Sequence, residues 1–197
     1  MTEKFGGKYR ITSARAKWWN YANDGEYFVT ICTKNREHFF GEISARLSAY
    51  RQGEMVLNKI GKMAQKFWME IPNHFPFAFL DEFVVMPNHM HGIITIQKNA
   101  NVNANANVET LHVTSLPNNN PYSKISPKKY SLSSIIRSYK SAVTKNAKKI
   151  NPQFAWQPRF HDHIIRNEKS LHNIRNYIQQ NPAMWHRDRN KSNGIWM

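Results

Sequence analysis

Two histidines separated by a single residue, in Pro87-Asn88-His89-Met90-His91-Gly92, are the sharpest chemical feature of the sequence. In a β-strand, residues i and i+2 project from the same face. His89 and His91 then point together, and Met90 points the other way, into the core. Two imidazoles on one face can share a divalent metal. Gly92 leaves room for close approach of a ligand or of backbone. Two hydrogen-bonded surface histidines would satisfy the same spacing.

A second feature lies in EKSLHNIRNYIQQNP. Leu171, Ile174 and Ile178 fall on one stripe of a helix, and Tyr177 and Asn181 neighbour each other at i and i+4 on its shoulder. A shoulder side chain is half-buried, so it can be held firmly and still reach a ligand. A boundary tyrosine followed by an asparagine that ends the helix before Pro182 is the plainer reading. Tyr139 is the competing tyrosine. It sits within the apolar face of its own helix with Val143 at i+4, which argues for core. Other nucleophile schemes have little support. The sequence has no GxSxG and no GxxxxGK[ST], Cys32 lies in an apolar strand as an inert thiol, and Asp81-Glu82 is the only adjacent acidic pair.

The elements that must position these residues can be read from pattern. Residues 26–33 are aromatic and β-branched and predict a strand after the Asp24-Gly25 turn. Apolar residues recur at three and four from Met55 to Ile71, predicting an amphipathic helix that Pro72 terminates. Strands are expected at 77–86 and 91–96, on either side of Pro87-Asn88. The stretch 98–122 is Asn-rich and reads as a flexible insertion without a core. A helix over 131–149 puts Leu132, Ile135, Ile136, Tyr139 and Val143 on one face and Lys140, Lys145, Lys148 and Lys149 elsewhere. A strand at 159–166 precedes a helix over about 168–181, capped by Asn167 and ended by Pro182. This mixture predicts an α+β sandwich, an antiparallel sheet covered by helices on one face.

Composition narrows the function. The chain has 197 residues, which suits one domain spanning 1–197 with the insertion at about 98–128. Its 41% apolar content and six tryptophans exclude disorder throughout, and a single cysteine excludes a disulfide scaffold. No apolar run is long enough for a membrane helix, and MTEKFGGKYRITSARAKWW has no apolar core like that of a secretory signal. A cytoplasmic, soluble protein with no membrane partner is expected. Net charge is +15, of which +12 falls in residues 124–197. Such a field favours polyanions. Nucleic acid is favoured because Trp156, Phe160, His161 and Trp185 interleave with the cations, and flat rings can stack on bases. A merely solubilising surface is the alternative.

Taken together, these blocks resemble the single-tyrosine HUH transposases, nearest the REP-associated tyrosine transposase branch. EYFVTICTKNREHFFGEI is similar to that family's first strand and turn, FVVMPNHMHGII to its HUH strand, and WQPRFHDHIIRNEKSLHNIRNYIQQNP to its C-terminal signature. With the 131–149 helix, the resemblance covers most of 20–185; the Asn-rich insertion is outside it. The resemblance implies a ferredoxin-like fold and a metal-dependent endonuclease and strand transferase. Its partner would be single-stranded or hairpin DNA from palindromic repeats. By the same resemblance His89 and His91 bind Mg²⁺ or Mn²⁺, Asn181 stands in the place of a third, amide ligand, and Tyr177 is the nucleophile. The resemblance allows a monomer or a homodimer with the tyrosine helix supplied in trans. Lys140, Lys145, Lys148, Arg159 and Arg166 would hold the DNA backbone, and Trp156 or Phe160 would either stack on a base or lie in the core. Two other readings are a domesticated, non-catalytic DNA-hairpin binder and an RNA-processing nuclease that would not need Tyr177.

Overall fold

The computed structural model describes residues 4–5, 8–9, 16, 18–44, 53–98 and 128–187. The Asn-rich insertion expected at 98–128 lies almost wholly outside the described residues. Two short two-stranded ribbons pair outside the main sheet: β1 (Lys4–Phe5) with β2 (Lys8–Tyr9), and β4 (Gly41–Ile43) with β5 (Met55–Leu57). The body is a four-stranded sheet formed by β3 (Gly25–Cys32), β6 (Ala78–Val85), β7 (His89–Ile96) and β8 (His161–Ile165), in the order β6-β7-β3-β8, with every pairing antiparallel. Helices α1 (Lys59–Met69) and α2 (Ile71–His74) join β3 to β6, and α3 (Leu132–Ala147) joins β7 to β8. That β-α-β-β-α-β succession with this strand order is the ferredoxin-like arrangement. A final helix, α4 (Glu168–Gln180), follows β8.

The first layer is built from the alternation of β3. Tyr27, Val29 and Ile31 are fully buried on the face that meets α1 and α3. On the same face β7 contributes Met90, Ile94 and Ile96. Trp68 of α1 meets Tyr139 of α3 edge-on, at 5.3 Å between ring centroids. Gly92 exists for this packing, because a Cβ there would lie 2.4 Å from the Trp68 ring. The room expected at Gly92 for a ligand is thus filled by tryptophan, and the residue faces away from the histidines.

Two local readings change. The periodic stretch from Met55 divides at Asn58. Its side chain caps α1 by accepting from Ile60 N and Gly61 N, both at 2.9 Å, while Met55–Leu57 pair as a strand with Gly41–Ile43. Pro72 does not terminate that helix against coil; it occupies the first turn of α2, where a missing N–H costs nothing.

The larger correction concerns the layers. Helices cover both faces of the sheet, not one. β7 is buried on both sides: opposite Met90 and Ile94 it presents Ile93, which forms a second cluster with Ile165, Leu171 and Ile178. The apolar stripe of α4 fills that face. Asn167 caps the helix by accepting from Ser170 N at 2.8 Å. Arg175 grips Asp81 of β6 through two nitrogens, at 3.0 and 2.5 Å, and holds its carboxyl below the ordinary range. Gln179 donates to Glu82 at 2.9 Å. Both acids sit where the β6–β7 register shifts between Leu80 and Phe83. The clasp fixes how far along the sheet, and at what rotation, α4 lies.

Candidate active site

His89 pairs with Cys32, and His91 with Thr30, across β7 and β3. Both imidazoles face α4 and both are buried, at 0% and 2% exposure. Burial pushes both basicities down, His91 to about 3 and His89 well below its ordinary value, with His91 and Arg36 adding to the effect on His89. Both rings are therefore neutral at pH 7. His89 Nδ1 is 2.9 Å from Asn88 Oδ1. That oxygen only accepts, because Asn88 Nδ2 donates to Arg36 O at 3.0 Å, so the proton of His89 sits on Nδ1 and its Nε2 is bare. The Nε2 atoms of His89 and His91 face each other at 3.0 Å. Thr30 Oγ1 lies 2.8 Å from His91 Nδ1 and fixes that ring from behind. Phe28 stacks on His91 at 5.3 Å and 27°.

Helix α4 delivers Tyr177 to this pair. The tyrosine hydroxyl is 3.2 Å from His91 Nε2, and its ring also meets Phe28 edge-on at 6.1 Å. Tyr177 is 46% exposed, so the hydroxyl is anchored while the ring edge faces solvent. Eight residues on, the Trp185 ring stacks on His89 at 5.9 Å and 21°. Asn181 lies between these two contacts in the chain, at the C-terminal cap of α4. It is 3% exposed, and its Oδ1 is buried without a hydrogen-bond partner. An orphaned buried acceptor costs about 1–3 kcal/mol. A neutral amide oxygen in this state, like the two neutral imidazoles, is a donor type that a divalent cation accepts. Among the described residues no group of three or more His, Cys, Asp and Glu could hold a metal ion. Two neutral nitrogens and one neutral oxygen would leave the full charge of the ion available to a phosphate.

Tyr139 is a different kind of residue. It is 3% exposed, donates to Ala64 O at 3.2 Å, and is pushed far above its ordinary pKa by burial. It is core, as its helical position indicates.

The residues expected to hold nucleic acid separate into sets. Lys145 and Lys148 are exposed on the outer side of α3, behind the sheet from Tyr177. Arg159 and Arg166 are exposed at the two ends of edge strand β8, and the Arg166 guanidinium lies 5.1 Å from the Trp18 ring. Lys140 is placed otherwise than expected, and Trp156 takes the core alternative. The Lys140 ammonium donates to Gln157 O at 2.8 Å and Arg159 O at 2.9 Å, and burial lowers its pKa to about 8. Trp156 packs among Phe40, Tyr139 and Phe154 and donates to Lys140 O. Both fasten the loop before β8 to α3. Trp185 lies on an imidazole. Phe28, Thr30 and Asn88 escaped the sequence reading. Phe28 and Thr30 occupy alternate positions of β3, but only the β3–β7 register shows that this alternation meets the histidines.

No family model matches the chain. It is 40% identical over 190 residues to an uncharacterized protein of Haemophilus influenzae, covering 95% of this chain and 97% of that one. A solved structure described as a REP-associated tyrosine transposase bound to a REP hairpin is 20% identical, with a TM-score of 0.49 over 93% of this chain and 89% of that one. A crystal structure of a proposed transposase from Deinococcus radiodurans is 12% identical, with a TM-score of 0.42 over 85% of this chain and 97% of that one.

Proposed function

We propose that this chain, which belongs to the same family as the Haemophilus influenzae protein, is a metal-dependent single-strand DNA endonuclease and strand transferase. It acts on hairpin or palindromic-repeat DNA through a 5′-phosphotyrosine. The observation that carries the reading is the 3.2 Å approach of the Tyr177 hydroxyl to His91 Nε2, in a pair whose Nε2 atoms converge at 3.0 Å. The resemblance of PNHMHG and of the C-terminal block to single-tyrosine HUH transposases points the same way.

His89, His91 and Asn181 would hold Mg²⁺ or Mn²⁺. When bound, the ion neutralises phosphate charge and favours the phenolate of a nearby tyrosine. The chain's own residues do the rest. Asn88 and Thr30 orient the two rings, and a neutral ligand set is maintained because burial keeps both histidines unprotonated. Phe28 and the Arg175–Asp81 clasp hold α4 so that the Tyr177 oxygen stays beside His91. The Tyr177 hydroxyl gives up its proton and its oxygen attacks phosphorus, the bond from phosphorus to the 3′ oxygen breaks, and the leaving oxygen takes up one proton in exchange to become a free 3′-OH. The phosphotyrosine conserves the bond energy, so a 3′-OH can reverse the step without a nucleotide cofactor.

The test is incubation of labelled hairpin DNA, carrying a single-stranded flank, with Mn²⁺ and then separation on a denaturing gel. A covalent adduct that disappears with EDTA and in Tyr177→Phe is expected. Cleavage without an adduct would point to a metal nuclease with water as nucleophile, and binding without cleavage to a hairpin-binding protein.

A further inference from the structure

The leaving 3′ oxygen needs a proton, and His89, His91 and Tyr177 are occupied with other tasks. The seating of α4 fixes the direction in which that oxygen departs. Arg175 and Gln179 reach Asp81 and Glu82 of β6. Residues two apart in a helix point about 200° away from each other. Tyr177 therefore projects from the opposite flank of α4, away from β6 and toward β3, where its ring meets Phe28. In phosphoryl transfer the attacking oxygen, phosphorus and the leaving oxygen stand roughly in line. With α4 behind the tyrosine, the leaving oxygen lies toward β3 and β8.

A second pair of histidines stands on that side. Ile164 of β8 belongs to the core beneath α1 and α3, and Ile165 packs with Leu171 and Ile178 of α4. By alternation His161 and His163 share the face of Ile165. α4 buries Ile165 and leaves both histidines exposed. Strand β3 separates this pair from the first. Thr30 faces His91 on one side and His161 on the other, whereas Phe28 faces His163. His91 and His161 thus occupy one row, two strand spacings or about 10 Å apart at the backbone. Between them is the small Thr30 side chain, already turned to His91 Nδ1 at 2.8 Å. A phosphodiester fits such a gap. On the row of His163 the Phe28 ring, stacked on His91, stands in the way. The ionisable groups beside His161 are His163 on its own strand, Tyr177 from α4 and Arg159 at the start of β8, with Glu26 at the far end of β3. An imidazole can give a proton in one direction of a reaction and take it back in the other.

We propose that His161 is the general acid of the cleavage step and the general base of its reversal. As the Tyr177 oxygen bonds to phosphorus, the electron pair of the breaking bond stays on the 3′ oxygen, and an N–H proton of the His161 imidazolium moves to it. The tyrosine proton goes to solvent, and solvent restores the one that exposed His161 has given, so none is consumed. In reversal the neutral imidazole takes the proton of an incoming 3′-OH. The proposal rests on the phosphotyrosine reading above and deepens it with the residue that protonates the leaving group.

The experiment compares single-turnover cleavage, with Mn²⁺, of two hairpins that carry a single-stranded flank. One is ordinary DNA; in the other, sulfur replaces the bridging 3′ oxygen at the bond that wild type cuts. A thiolate departs without a proton, so the sulfur substrate has no need of the acid. His161→Gln is expected to cut ordinary DNA about 10²–10⁴-fold more slowly than wild type, the usual worth of a positioned acid, and to cut the sulfur substrate at close to the wild-type rate. His163→Gln should stay close to wild type on both. Circular dichroism and anisotropy should show His161→Gln folded and binding ordinary DNA as wild type does. An equal loss on both substrates would make His161 a contact for binding, and an undiminished rate on ordinary DNA would leave it without a task; either overturns the proposal. So does a sulfur-rescued loss in His163→Gln with His161→Gln unaffected. Wild type that cuts no flanked hairpin would overturn the phosphotyrosine reading and this proposal together. Wild type that cuts both substrates, with no sulfur-rescued loss in His161→Gln, overturns this proposal alone.

Discussion

Helices α3 and α4 lie on opposite faces of the same sheet, both amphipathic and each with one tyrosine, and they do opposite things with it. On α3 the tyrosine is sealed in the core, and the outer face carries Lys145 and Lys148, exposed and without an ion pair among the described residues. On α4 the tyrosine stands at the boundary, its hydroxyl on a buried imidazole, and the helix is clasped to the sheet edge by Arg175–Asp81 and Gln179–Glu82. A reactive side chain needs a rigid support and an open edge together, and only the shoulder of an apolar stripe supplies both. Uncompensated charge needs neither, only solvent and a partner.

The first way to break this contrast is to exchange the roles of the tyrosines. Tyr177→Phe is expected to lower adduct formation by at least about a thousandfold, as removal of a nucleophile does, with Tm within about 2 °C of wild type. Tyr139→Phe should retain the adduct within about threefold and cost about 1 kcal/mol, for the lost bond to Ala64 O. Thermal melts alongside gel assays would show both. A Tyr139→Phe variant without adduct, at unaltered stability, would move the chemistry to α3.

The second concerns the proposed metal ligands. Asn181→Ala removes an acceptor that has no hydrogen bond in the fold. The variant should melt no lower than wild type without metal, yet bind Mn²⁺ about tenfold more weakly by calorimetry. A fall of several degrees with unchanged Mn²⁺ affinity would make Asn181 a structural cap only. Thr30→Val, which leaves His91 Nδ1 without its partner, should weaken Mn²⁺ binding by about ten- to a hundredfold, the usual effect of a residue that orients a ligand.

A smaller effect comes from pH. Both histidines are neutral in the fold and protonate more readily once unfolded, near pH 6.5. The unfolded state therefore binds more protons between pH 6.5 and about 3, and stability falls as pH drops through that window. In the metal-free protein, His89→Gln/His91→Gln should flatten the fall in Tm from pH 7 to 5. A fall as steep as in wild type would mean that other groups control it.

How far the sequence reveals this follows from what is local and what is not. The period-two run of β3, the stripes of α3 and α4, the Asn167 cap and the core position of Tyr139 are local patterns, and they read correctly. The start of α1 did not, because Asn58 caps a helix within a stretch whose apolar spacing runs straight through it. The second covered face was missed because the continuous apolar run of β7 does not say which helix covers which side. Phe28, Thr30 and Asn88 reach the histidines through strand register and through the turn before His89, neither of which is visible as a motif. Lys140 looks like any other basic residue on α3 until the chain returns and places two carbonyl oxygens on its ammonium.

The central claim is that Tyr177, presented by α4 to the His89–His91 pair, is the atom that takes the DNA. Its most direct test is mass spectrometry of the protein after reaction with hairpin DNA and Mn²⁺, nuclease trimming and proteolysis. The account predicts a nucleotide remnant on the α4 peptide at Tyr177, absent in His91→Ala. A remnant on Tyr139, or DNA cleaved to completion with no modified tyrosine, would contradict it.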